Sequence, residues 1–217
     1  MRIDCTNDTA GLVGPDYGTA AFNWHGGVKV KGKIYAHPSH APDTVLVIDT
    51  PKGGLCSELP IQRASYDTDE RQNFKWLGGT VGADGNIYCP ACDTSAVLKI
   101  DTTTDVCTTF GFSGTLKNKW QGGLLGRDGC IYCIPASGHN VLRIAAFDGI
   151  AGENPLQLLG DLPVHKDKWQ GGATGLDGSL YFIPENGYRV LKVTPPKSPP
   201  TIVDGKLPEG DVKLEYL

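Results

Sequence analysis

Four tryptophans, the only ones in the chain, set a frame that runs through almost the whole sequence: Trp24, Trp76, Trp120 and Trp169. Each opens a copy of one motif. A glycine pair follows two residues later, as Gly26-Gly27, Gly78-Gly79, Gly122-Gly123 and Gly171-Gly172. A turn glycine comes next (Gly32, Gly85, Gly129, Gly178), then a tyrosine (Tyr35, Tyr88, Tyr132, Tyr181) and a proline (Pro38, Pro90, Pro135, Pro184). Val-Leu or its equivalent closes the motif at 45–46, 97–98, 141–142 and 190–191. From Trp to that Val the offset is 21 residues in every copy, although the first copy is one residue shorter at its turn and regains it before Val45. A spacing that absorbs an indel in this way is held by structure.

Each copy reads as short strands. Asp-Gly at 84–85, 128–129 and 177–178 signals a tight hairpin turn between the glycine-pair strand and the tyrosine strand. The run Cys130 to Ile134 is almost wholly apolar, which suits a strand covered on both faces. Proline then ends it, because it cannot donate to a ladder. Val141 to Ile144 is the third strand, and a weaker fourth is expected at segments such as Val106–Phe110 or Pro200–Val203. Four antiparallel strands per repeat, at a period of 44 to 52 residues, predict an all-β fold of propeller type. The glycine pairs fit an inner strand crowded against the axis, and the tryptophans fit packing between blades.

The boundaries follow from the frame. One domain spans 1–217: a half-blade of outer strands at 1–23, blades at 24–75, 76–119 and 120–168, and a blade with the C-terminal tail at 169–217. Arg2 to Asp8 aligns with Lys99 to Asp105, so the chain opens at the third strand of a blade. Either these N-terminal strands complete the final blade or another segment or subunit covers the open edges.

Composition narrows the partners. A net charge of −4 with both signs scattered gives no case for nucleic acid. No apolar run reaches the roughly 18 to 20 residues of a membrane span, and the first residues, MRIDCTNDT, hold no apolar leader. Seven cysteines at irregular positions suggest a cytoplasmic or other reducing compartment, and no signal peptide is expected.

The pattern Asp84-Gly85-Asn86-Ile87-Tyr88, followed by Val97-Leu98-Lys99-Ile100-Asp101, resembles the repeats of the broad propeller superfamily. That group includes NHL repeats, gluconolactonases, virginiamycin B lyase and quinoproteins. With its Trp-x-Gly-Gly prefix the repeat is most similar to uncharacterised propeller proteins. It is similar more loosely to tachylectin-like lectins. The resemblance implies fold far more than activity. A gluconolactonase would carry acidic and Asn side chains on its inner strands to hold a divalent metal. The inner strands here read HGGVKV, LGGTVG, QGGLLG and QGGATG, without a carboxylate.

Candidate site residues gather on the rim formed by the loops around Trp and around Pro. Lys75, Lys119 and Lys168 precede three of the tryptophans; Gln121 and Gln170 follow two; His37, His40 and His139 lie in the matching loops. Together they would form a polar, partly cationic ring for a protein partner or a small anionic ligand. Cys89 and Cys92 are a weak metal candidate. Cys130-x-x-Cys133 cannot join them, because three residues along a strand separate its ends by ~10 Å with side chains on opposite faces. No catalytic motif is legible, neither G-x-S-x-G nor H-E-x-x-H, and no cofactor is expected. The sequence therefore predicts a non-catalytic binding or scaffold module acting through protein–protein contact or as a subunit of an assembly. The alternatives are a lyase- or lactonase-type enzyme with a rim metal, and a lectin-like carbohydrate binder.

Overall fold

The computed structural model describes residues 1–18, 22–40, 43–67, 73–150 and 152–217. Every regular element among them is a β-strand. A first hairpin, β1 (Arg2–Asp4) and β2 (Thr9–Gly11), pairs only with itself. Four four-stranded antiparallel units follow. The first holds β3 (Val28–Val30), β4 (Lys33–Ala36), β5 (Thr44–Asp49) and β6 (Leu55–Gln62). The second holds β7 (Thr80–Val81), β8 (Ile87–Cys89), β9 (Ala96–Asp101) and β10 (Val106–Phe112). The third is β11 (Trp120–Leu125), β12 (Cys130–Pro135), β13 (Val141–Ala145) and β14 (Leu156–Leu159). The fourth is β15 (Trp169–Thr174), β16 (Leu180–Pro184), β17 (Leu191–Thr194) and β18 (Lys213–Tyr216). Short parallel pairing of Cys107 and Thr108 with Ile61 and Gln62 fuses the outer edges of the first two units. The inner strands meet in the order β3, β7, β11, β15, as the blades of a β-propeller do.

The repeat explains the fold at the level of single bonds. Each tryptophan donates its indole N–H to the carbonyl immediately before the motif's Val: Trp24 to Thr44 (3.0 Å), Trp76 to Ala96 (3.0 Å), Trp120 to Asn140 (2.8 Å) and Trp169 to Arg189 (2.8 Å). The constant Trp-to-Val offset is the length of that closure. The two glycines of the pair have separate reasons. The first lies in left-handed backbone, with φ of 80°, 114°, 70° and 66° at Gly26, Gly78, Gly122 and Gly171. In β11 and β15 it sits at a bulge that shifts the register between Trp and the second glycine. The second glycine is a close approach: a Cβ on Gly172 would fall 2.6 Å from the Tyr181 carbonyl oxygen.

Three apolar layers lie between successive blades, and each joins the tyrosine of one blade to the tryptophan of the next: Tyr35 with Trp76, Tyr88 with Trp120, and Tyr132 with Trp169. Polar clamps close the same junctions. The Asp-Gly aspartates cap their own turns and also accept from the tyrosine hydroxyls, Asp84 from Tyr88 at 2.7 Å and Asp128 from Tyr132 at 2.8 Å. Arg143, wholly buried, pairs with Asp128 at 2.8 Å and with Asp211 of the following blade at 2.8 Å.

One expectation is corrected, and one of two open alternatives is not what the strand pairing shows. The fourth strand of the last blade is Lys213–Tyr216, which pairs with β17, and not Pro200–Val203. Pro200 has no N–H to give a ladder there, and Pro195, Pro196 and Pro199 break up the chain leading to it. Because β18 fills that position, the N-terminal strands do not complete the final blade.

The junction clamp carries measurable stability. Asp128→Ala leaves Arg143 short of a charge partner inside the fold and is expected to cost roughly 3–5 kcal/mol. Lys52→Ala, at the exposed pair with Asp49, should leave the denaturant midpoint unchanged. Urea titration of both variants checks this; equal effects would show that the buried clamp is dispensable.

Candidate functional site

The loops around Trp and around Pro do share one rim, and a repeated main-chain bond shows how. The residue two before each tryptophan accepts from the loop after the second strand: Phe22 from His40 (3.0 Å), Phe74 from Asp93 (3.0 Å), Asn118 from Ser137 (2.8 Å) and Asp167 from Asn186 (2.9 Å). All four accepting residues are left-handed, with φ of 55°, 51°, 52° and 51°. Asn and Asp tolerate that conformation; a bulky side chain adopts it rarely. Phe22 and Phe74 are nevertheless there, 57% and 40% exposed.

The lysines sit differently from the expected cationic ring. Lys75, Lys119 and Lys168 are only 3%, 2% and 1% exposed. Lys75 pairs with Asp43 at 2.6 Å. Lys119 donates to the carbonyls of Thr94 (2.7 Å), Leu116 (2.8 Å) and Cys92 (3.1 Å), and Lys168 to that of Gly138 (2.8 Å). The ammonium groups of Lys119 and Lys168 hold rim loops together from beneath, where the loop carbonyls need donors, and Lys75 ties its loop through a carboxylate. Burial lowers Lys168 to about 8.

The remaining predicted residues fall into two groups on the rim and one beneath it. Gln121 donates to Asn118 (2.7 Å) and Gln170 to Gln121 (3.4 Å), a chain of amides across the third and fourth blades. His139 borders the cleft beside them, with Asn118, Ser137 and Asp167. His40 stands apart, stacked on Phe22 at 5.2 Å and edge-on to Phe74 at 4.7 Å. His37 is buried against the inner strands of the first two blades, near Gly26 and Gly79. Burial holds its pKa near 4, and its Nδ1 has no partner. The rim is therefore split. One half presents the aromatic group Phe22, His40 and Phe74; the other presents amides, acids and the exposed Lys117 and Lys166, with an open cleft between them whose lining includes Phe74, Leu77, Asp93, Lys117, Asn118 and Gln121. Sequence reasoning passed over Phe22 and Phe74, though their offset from Trp marks the position.

Both Cys89 and Cys92 are buried, Cys89 in the apolar layer between the first two blades and Cys92 beside Asn118, to whose Oδ1 its thiol donates at 3.5 Å. Burial pushes Cys89 well up and Cys92 up to about 12. Cys130 and Cys133 face different interblade layers, as the strand geometry requires. Among the described residues no three His, Cys, Asp or Glu side chains group so as to hold a metal ion. Nor does any helix there have the length and apolar character to cross a membrane.

No protein-family model matches the chain, and no curated protein does. Solved structures do. Virginiamycin B lyase from Staphylococcus aureus superposes with a TM-score of 0.58 at 16% identity, over 80% of this chain and 53% of that one. A streptogramin B lyase gives 0.54 at 17%, over 75% and 48%. An auxiliary nutrient binding protein from Bacteroides thetaiotaomicron gives 0.51 at 13%, over 84% and 44%. The chain thus shares the propeller architecture of these proteins and spans about half their length.

The thiols supply a prediction. At neutral pH Cys5 should react at once with a thiol reagent and Cys56 more slowly, with the five buried cysteines reacting only on unfolding. Burial raises Cys92, Cys107 and Cys130 from 9.0 to about 12 in the fold. Above pH 9 the unfolded chain loses thiol protons that the folded chain keeps, so stability falls as pH rises towards about 12. Lys168 opposes this between about 8 and 10.5, one group against five. Urea midpoints from pH 7 to 10 measure the balance; rapid labelling of Cys89 or Cys92 in the folded chain would contradict it.

Proposed function

We propose that this chain is a non-catalytic binding or scaffold module that takes a protein partner on its Trp/Pro rim. One observation carries the reading: two exposed phenylalanines, Phe22 and Phe74, occupy left-handed positions where the other copies place Asn118 and Asp167. A bulky residue in that backbone is strained, and an exposed ring recovers little by packing. Phe22, His40 and Phe74 form a contiguous aromatic anchor of the kind that dominates protein interfaces. Gln121, Gln170 and His139 provide the polar border.

A carbohydrate ligand is the second reading, because a ring at Phe74 stands beside the hydrogen-bonding side chains of Asn73, Asp93, Asn118 and Gln121. The fold itself serves enzymes and binders alike. A lyase or lactonase with a rim metal is less favoured, since no ligand set converges among the described residues.

Phe22→Asn with Phe74→Asn separates function from folding. Asparagine suits the left-handed backbone, so the melting temperature should hold or rise. Affinity for a partner co-purified from the native source, then measured with the purified partner, should fall by at least about tenfold. Unchanged affinity would exclude the aromatic anchor, and binding on a glycan array would move the reading to a sugar.

A further inference from the structure

The third and fourth copies depart from the first two at a second rim position. Three residues before Trp120 and Trp169 stand Lys117 and Lys166, where the earlier copies have Ala21 and Asn73. Both lysines are exposed, and neither ammonium group has an ion-pair partner among the described residues. A side-chain bond brings their loops to one place. The Asn118 amide donates to the Asp167 carboxylate, tying the two segments together one residue beyond each lysine.

Between these segments and the loop after β12 lies an open cleft of about 850 Å³. The segments that wall it, 115–119, 137–139 and 164–168, carry four lysines and one acid in a chain of net charge −4. Lys117 and Lys166 line the cleft, and Lys119 and Lys168 are buried in the same two segments. The acid, Asp167, is engaged by Asn118. Asp93, in the neighbouring cleft that Lys117 also lines, accepts from the Asn118 N–H at 2.7 Å. Two further donors are open. Ser137 Oγ accepts from Asn118 Nδ2 (3.2 Å) and from the Asp167 N–H (3.4 Å), which leaves its own O–H to give. His139 is exposed on the opposite wall with an imidazole N–H. Apolar surface adjoins these groups at Leu116, 45% exposed, and Val164, 79% exposed.

We propose that this cleft binds an organic phosphate monoester, with Lys117 and Lys166 on the phosphate, Ser137 and His139 donating to its oxygens, and Leu116 and Val164 against the carbon skeleton. Two cations and two neutral donors suit an anion with several oxygens. Every cation lining the cleft is a lysine, which binds phosphate as a point charge, whereas the planar fork of arginine is the better match for a carboxylate. The cleft is far larger than a phosphate group, and its apolar surface calls for carbon attached to the anion. The site lies on the polar half of the rim and does not depend on the aromatic anchor.

Phenyl phosphate, titrated into isotope-labelled full chain and followed by NMR, tests this. Amide signals of 115–118, 137–139 and 164–167 should move together. Phenyl phosphate should bind at least about tenfold more tightly than inorganic phosphate, phenol or benzoate, each of which carries only part of the pattern. Lys117→Gln with Lys166→Gln should weaken phenyl phosphate by at least about tenfold. Both lysines are exposed, so circular dichroism and the melting temperature should not change. Val164→Ser should narrow the margin over inorganic phosphate and leave inorganic phosphate itself unaffected. Three outcomes overturn the inference: no movement of these signals up to tens of millimolar phenyl phosphate, equal affinity for benzoate, or unchanged affinity in the double glutamine variant.

Discussion

Each blade of this protein is closed by one bond, from an indole N–H to a main-chain carbonyl twenty residues on. The acceptors belong to Thr44, Ala96, Asn140 and Arg189, four side chains with nothing in common. Only the carbonyl matters, so those positions are free to vary while Trp and the chain length between are not. The bond ties the entry of the inner strand to the start of the third strand and so sets the width of the blade. It also fixes where the rim loops emerge. A buried donor left unpaired costs about 1–3 kcal/mol, enough to hold the frame through the shortened turn of the first copy.

Between blades the logic changes from closure to stacking. Apolar layers supply area without direction, and the tyrosine clamps supply direction. Each clamp runs one way along the chain: tyrosine and cation from the earlier blade, acid or amide from the later one. Sequence variation within the clamp is compensated across it. Where Asp128 and Asp211 both face Arg143, the cation is a guanidinium able to serve two carboxylates; where Asn154 replaces the second acid, a lysine suffices.

Much of this was legible in the sequence, and the physical reason is the repeat. Four copies average out local noise, so Trp, the glycine pair and the Asp-Gly turn could be read as strands and hairpins without any single copy being decisive. The rim was legible as a place and less so as a surface. Lys75, Lys119 and Lys168 looked like solvent cations because lysine usually is one; nothing local says that a loop folds its carbonyls over the ammonium group. Phe22 and Phe74 failed to register for the complementary reason, since the backbone sign at a position leaves no mark unless the residue there is glycine or asparagine. The last strand was misplaced because Ile202-Val203 reads as β, while the alternation in Lys213 to Tyr216 is short and comes late.

The rim is where the four copies depart from their shared frame. The left-handed rim position is held in all four copies, and only its side chain changes, from aromatic in two to polar in two. Had the position served the fold alone, Asn or Asp would relieve the backbone everywhere, since neither ring is buried. The first two copies forgo that relief together, and their rings meet across the blade junction at 6.0 Å with His40 between them. Strain repeated at matched sites and pooled into one exposed cluster is how a rigid frame builds an asymmetric surface from symmetric parts. The frame keeps the rings at a fixed spacing, and on the proposed reading that spacing would limit the conformational freedom lost on binding a partner.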